Sequence, residues 1–276
     1  MSLRELLATS FVHNAFFAVT AVALAAGVVG YFVVLRRQAF AAHAIGHVGF
    51  AGAAGAVLLG ISPLVGLLVF CLGAGLLIGL GSANLDERDA VVGVTLTAAL
   101  GLGVLFISLY SGYANATYSI LFGQILGVSV DDVVLVAVLS VAVIVVMSLA
   151  FRPLLFVSID AQSAASRGVS TRVMSLLFMA LLALTTVVAI QIVGVLLVFS
   201  LLVAPSAAAE ALTNRPAQAV AWSVVLALTS AWLGLFLGVW VGGPVSFWIT
   251  ALASLSYLGA RLVSSTAPAH ARRRVA

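Results

Sequence analysis

Long apolar runs separated by short polar interruptions set the plan of this chain. The first run, Ala15 to Leu35, stops at Arg36-Arg37, and the second extends from about Ala39 to Gly60. A turn at Ile61-Ser62-Pro63 leads into a third, Leu64 to Leu80. The cluster Asn84 to Asp89 predicts a loop, followed by a fourth run from Val91 to Tyr110. Ser111 to Asp132 is too polar at its start to cross a membrane and too apolar to be a free loop. It predicts a short re-entrant or interfacial helix around Ile120 to Leu126, with Tyr113 and Tyr118 at headgroup level. Val133 to Phe151 is the fifth run, ended by Arg152-Pro153, and Ser158 to Arg172 is the longest polar interval. Val173 to Leu212 would make one helix of about 60 Å, twice the roughly 30 Å of a hydrocarbon core, so the run must fold back near Ala189 to Val193. Val220 to Val241 and Phe247 to about Leu262 complete the series, with Trp240 and Trp248 flanking the last turn as an aromatic belt would. The expected fold is an all-α polytopic transmembrane helical bundle, one transmembrane domain over residues 1–276, with nine spans. The count becomes eight if the fold-back is re-entrant or an end helix does not cross.

Composition excludes a water-soluble globule. Hydrophobic residues make up 64% of the chain and charged residues 7%, with a mean hydropathy of +1.29, so there is too little polar surface to solvate a compact domain. Barrel strands would alternate over about ten residues, and these runs do not. The net charge of +4 does not point to nucleic acid, because all twelve basic residues are arginines scattered between apolar runs. They read as orientation signals. With the amino terminus outside, every arginine except Arg4 falls on the inner side, which places the loop 158–172 and the basic tail 264–276 in the cytoplasm. Arg272, Arg273 and Arg274 in that tail are suited to anionic lipid. The first run is longer than the core of a signal peptide and ends on two arginines, which favours a retained span. Cys71 is the single cysteine, so no internal disulfide or thiolate cluster forms.

Against this background His43 and His47 stand out. They are four residues apart in a segment otherwise built of apolar and small residues, so on a helix they share one face, one turn apart. Ionisable groups at membrane depth are costly and mark translocation routes by default. The structural alternative is a hydrogen bond to a neighbouring helix. The abundance of Ala and Gly around the pair predicts a helix buried among others. His13 reads as an interfacial residue, Asp86 to Asp89 as a solvated turn, and Asp131 and Asp132 as helix-start residues. Gln191 is expected to satisfy backbone at the fold-back, and Glu210 to pair with an arginine or reach water. Asp160 is placed to cap a two-turn helix through Arg167, stopped by Gly168.

Several activities are excluded by chemistry. A zinc protease needs a glutamate directly after the first histidine, and position 44 is Ala; there is no Gly-x-Ser-x-Gly elbow either. A phosphate-binding loop requires a lysine the chain lacks, so ATP hydrolysis would belong to a partner and the chain would not be an enzyme. An ion-coupled secondary transporter would keep several carboxylates in mid-span, which are missing here.

The chain resembles the membrane permease subunit of ATP-binding-cassette importers for zinc, manganese and iron. The resemblance rests on Gly27-x-x-Gly30 with Leu35-Arg36-Arg37, the histidine segment to Gly52, Leu121-Phe122-Gly123 with Leu126, the Asp160 to Gly168 loop, and Val193 through Val203 to Pro205. It implies a homodimeric permease in a bacterial cytoplasmic membrane, an ATPase subunit under each protomer, and an external metal-binding protein that delivers the ion. It makes Asp160, Ala161, Gln162, Ala164, Ala165, Arg167 and Gly168 the coupling helix that docks on the ATPase. It also makes Leu121, Phe122, Gly123 and Gln124 an outer gate segment, and His43 and His47 the metal ligands of the path. No resident cofactor is implied, the metal being cargo. The family usually carries an aspartate where this chain has His43, a serine at Gly46 and a proline at Ala51, while His47 and Gly52 match. Two imidazoles favour zinc over the harder manganese, and two protomers meeting at an axis would offer four nitrogens, the number a tetrahedral zinc site takes. Manganese or iron import, or import of a chelate of the siderophore or cobalamin kind, are the alternatives.

Overall fold

The computed structural model describes residues 10–81, 85–109, 123 and 125–266, and all regular structure among them is helical. In chain order the helices are α1 (Ser10–Leu35), α2 (Ala39–Leu58), α3 (Pro63–Leu80), α4 (Leu85–Ser108), α5 (Val130–Ile159), the short α6 (Ala161–Ser166), α7 (Thr171–Val193), α8 (Val195–Leu212), α9 (Pro216–Trp240) and α10 (Val245–Thr266). Eight of these are long and apolar enough to cross a membrane, and α8 is a shorter apolar helix beside them. α1, α2 and α7 are the most enclosed; α4 is the least, with most of its surface outward.

Two polar interruptions proved weaker than expected. The Asn84 to Asp89 cluster, expected as a loop, supplies the first turn of α4 from Leu85 onward. Arg152-Pro153 does not end α5, which continues to Ile159 and is 30 residues long. At 1.5 Å per residue that is about 45 Å, so its last turns project beyond the hydrocarbon layer. Pro153 forfeits one backbone bond there, to the carbonyl of Leu149, without stopping the helix. Of the expected outer helix near 120–126, the single 3₁₀ turn Ile125–Gly127 falls within the described residues; Tyr113 and Tyr118 lie outside them.

The fold-back occurs at Gly194, one residue beyond the expected stretch. Gly194 has φ +88° and ψ 163°, a conformation open to glycine and almost nothing else, so α7 ends and α8 begins with no loop between them. Contacts at their far ends show that the two run in opposite directions. Gln191, near the end of α7, donates from Nε2 to Asp132 Oδ1 at the start of α5 (3.0 Å). The end of α8 shares a cavity with the ends of α1 and α10. One end of the bundle thus collects Arg36, Arg37, Arg152, Arg167, Arg172, Arg215 and Arg261; the opposite end carries Asn14, Ser62, Asp132 and Gln191.

Glycines set how closely the helices approach. A Cβ on Gly52 of α2 would lie 2.3 Å from the carbonyl oxygen of Gly66 in α3, and one on Gly66 would lie 2.0 Å from that of Gly52. Gly30 of α1 meets α8 in the same way, 2.1 Å from the carbonyl of Leu202. One turn away the hydroxyl of Ser223 in α9 donates to the carbonyl of Gly27 at 2.7 Å and sits 2.7 Å from Ser206 Oγ of α8, all buried. Replacing Gly52 by Leu should therefore push α2 off α3 and destabilise the bundle by about 1–3 kcal/mol or more. In thermal unfolding of the purified permease, Gly52→Leu should lower the midpoint, while Gly93→Ala, where a Cβ meets open space, should leave it in place.

Candidate functional site

His43 and His47 occupy the second and third turns of α2. Their neighbours Ala42, Ala44, Ile45, Gly46 and Val48 are buried, whereas both imidazoles are half-open. Helical spacing therefore puts the pair on the one side of α2 that its neighbours leave uncovered. The two ring centroids lie 4.6 Å apart, edge to face. His43 also meets the ring of Phe199 of α8 edge to face at 5.1 Å. Phe199 begins a half-open face of α8 that continues through Val203 and Ala207 to Glu210. The histidines thus sit at a groove between α2 and α8.

Behind the pair the packing is tight. Gly49 lies against Cys71 and Ile190, with no room for a Cβ, and the Cys71 thiol is directed at the carbonyl of Ile45 (3.5 Å). Among the described residues no three His, Cys, Asp or Glu side chains come together as a metal cluster. One copy of the chain therefore brings two imidazoles together there.

Of the segment expected as an outer gate, Gly123 is described. It has φ +74°, and a Cβ there would lie 2.4 Å from the carbonyl oxygen of Ile192 and 2.7 Å from the nitrogen of Gly194. Leu121, Phe122 and Gln124 fall outside the described residues. Gly123 itself therefore lies against the break between α7 and α8. Gln191, expected to satisfy backbone at this fold-back, instead binds Asp132. That carboxylate also receives the hydroxyl of Ser129 at 2.6 Å in a reciprocal cap at the start of α5. A cavity of about 340 Å³ opens beside this pair, bounded by Ser62, Leu64 and Gly127.

At the arginine-bearing end, α6 has the expected construction. Asp160 caps it by accepting from the Ser163 amide at 2.9 Å and from the Ser163 hydroxyl, and Gly168 ends it at φ +82°. Ala161, Gln162, Ala165 and Arg167 face outward, and Ala164 is buried against the bundle. Arg36, read from the sequence as an orientation signal alone, proves to hold this end together. Its guanidinium donates to Ser158 Oγ at 3.2 Å and Ser175 Oγ at 2.9 Å and lies over the Phe178 ring at 5.1 Å, joining α1 to the two helices that flank α6. An arginine two residues short of the next span gives no sequence signal of which distant helix it will reach.

The model of the ABC 3 transport family matches residues 8–264. The chain belongs to this family. It is a multi-pass permease subunit of a bacterial ABC importer in the cytoplasmic membrane, not an enzyme in its own right. This permease is 33% identical over 236 residues to "Manganese transport system membrane protein MntC" of Halalkalibacterium halodurans, covering 85% of this chain and 81% of that one. It is 34% identical to "Manganese import system permease protein ScaB" of Streptococcus parasanguinis over 157 residues, 56% of each chain. The structure described as "PsaBC from Streptococcus pneumoniae in complex with Fab" superposes with a TM-score of 0.83 at 28% identity, covering 94% of the permease and 93% of that chain.

The hydrogen bonds from the Ser163 hydroxyl, and next from its amide, hold the Asp160 carboxyl below the ordinary aspartate value. A carboxyl whose folded pKa is depressed contributes stability above its unfolded pKa and loses that contribution as pH falls through the folded one. Amide exchange of the α6 segment should accordingly be independent of Asp160 ionisation near neutral pH and lose protection only in acid. Asp160→Ala should lose that protection at every pH, and Asp160→Asn, also a capping residue, should keep most of it.

Proposed function

We propose that this permease is one half of a homodimer that passes a bare divalent transition-metal ion inward, manganese ahead of zinc, with His43 and His47 as the ligands it meets on the way. The observation that carries the reading is the imidazole pair, held 4.6 Å apart on the uncovered side of α2 in a chain of a family built for import. Two copies related by an axis along this groove would face their histidines toward each other. In this reading the arginine-bearing end is cytoplasmic, as the positive-inside rule requires. An ATPase subunit docks on the exposed side of α6, the delivery protein sits at the opposite end, and lipid covers the remaining surface.

The choice of metal departs from what two nitrogen ligands alone favour. Imidazole suits zinc, and manganese prefers oxygen, yet relatives matched over most of their length carry manganese in their names. A chelate would require a wider passage and gives no role to a pair of bare imidazoles.

The test is ATP-driven uptake of radioactive manganese and zinc by the reconstituted complex. His47→Ala should lower manganese uptake by about tenfold or more, on the scale at which a disturbed metal site loses activity, and His43→Ala should lower it as well. His43→Asp, which restores the oxygen donor usual in the family, should raise the preference for manganese over zinc. Uptake unchanged in both alanine variants would remove the histidines from the path, and zinc carried in preference to manganese would restore the ligand-based choice.

A further inference from the structure

The open face of α8 that meets His43 carries an ionisable group of its own, Glu210. From Phe199, which touches His43, to Glu210 is eleven residues, about 16 Å along the axis and within about 20° around it. The residues between them on this face, Val203 and Ala207, are small to medium and half-open. Glu210 is itself half-buried and lines a cavity of about 720 Å³ at the arginine-bearing end, together with Tyr31, Thr213, Asn214, Tyr257 and Arg261. The cationic wall of the cavity is already engaged. Arg261 donates from Nε to Tyr257 Oη at 3.1 Å, and its guanidinium lies over the Tyr257 ring at 5.6 Å, on its own helix.

We propose that Glu210 is a second, inner way-point for the transported divalent cation, an oxygen-donor site that takes the ion from the histidine pair before release. The inference rests on the path assigned above to His43 and His47. The chemistry of the wall supports it: one carboxylate, the amide of Asn214 and the hydroxyls of Thr213 and Tyr31 supply the hard oxygen ligands that manganese prefers. Water in an open cavity would complete the shell. A single carboxylate, with no other acidic or imidazole side chain among the described residues lining this cavity, binds weakly, and the charge of Arg261 across the cavity shortens the stay further. Conduction requires such a site, favourable enough to enter and weak enough to leave. It also gives the path an oxygen donor although the aspartate usual in the family is replaced by His43.

Two measurements on the intact permease–ATPase complex test this. In the first, manganese is titrated without nucleotide, and the free aqua ion is read from its paramagnetic resonance spectrum. The His43→Ala/His47→Ala variant should keep a weak class of bound manganese that adding Glu210→Gln removes. In the second, manganese uptake into vesicles is measured against the concentration of the loaded delivery protein. Glu210→Gln should lower the maximal rate by about tenfold, again on the scale of a disturbed metal site, with little change in the half-saturating concentration, and Glu210→Asp should recover most of the rate. Wild-type binding and uptake in Glu210→Gln would overturn the inner way-point while leaving the histidine reading intact. Uptake lost equally in Glu210→Gln and Arg261→Gln, with weak manganese binding unchanged in both, would also overturn it by making Glu210 a structural partner of the arginine. If instead the histidine variants transport normally, it is the path itself that fails.

Discussion

Lipid tails are as apolar as the side chains that face them, so burying a Leu or Val against another helix gains little over leaving it in the bilayer. What holds such a bundle together is close packing and the few hydrogen bonds that cross between helices. In this permease both depend on missing side chains. Gly52 and Gly66 bring the backbones of α2 and α3 into contact, and Gly30 does the same for α1 and α8. Beside the second contact, Ser206 and Ser223 link α8 and α9 to the carbonyl of Gly27. A methyl group at any of these glycines would hold the helices apart.

The functional groove follows from that packing. α2 is pinned against α3, α4 and α7 and left uncovered where His43 and His47 emerge. α8 is pinned against α1, α9 and α10, which leaves open the face running from Phe199 to Glu210. Because Gly194 reverses the chain without a loop, α8 starts beside the outer segment at Gly123 and ends at the inner cavity. This one short helix therefore touches the outer segment, the histidines and the arginine-bearing end. At that end Arg36 ties α1 to the helices on either side of α6 through short polar contacts.

The ligand set bears on metal choice in an instructive way. Imidazole for carboxylate at position 43 softens the pair, and from donor chemistry alone zinc would follow. The named relatives point to manganese, and selectivity in such a path is a property of every group the ion meets. An inner way-point of the kind proposed at Glu210 would change the balance without altering the histidines.

Crossing a membrane is close to a one-dimensional problem, and here the sequence was sufficient. The order of the apolar helices, the two-turn helix capped by Asp160, and the pairing of His43 with His47 on one face all follow from run length, local capping and helical period; of the nine expected spans, eight are long and apolar enough to cross and α8 is shorter. Its errors at Asn84 to Asp89 and Arg152-Pro153 were local too: polar residues and a proline at the margin of the hydrocarbon layer cost a helix little, so it continued through them. Tertiary structure alone decided which residues meet across the chain. Gln191 found Asp132 instead of backbone, Arg36 found Ser158 and Ser175, and Phe199 came to rest on His43. Glu210 came to share a cavity with Arg261 of the distant α10. Those pairings depend on crossing angles set by glycine contacts between distant segments, which no local pattern of apolar and polar residues encodes.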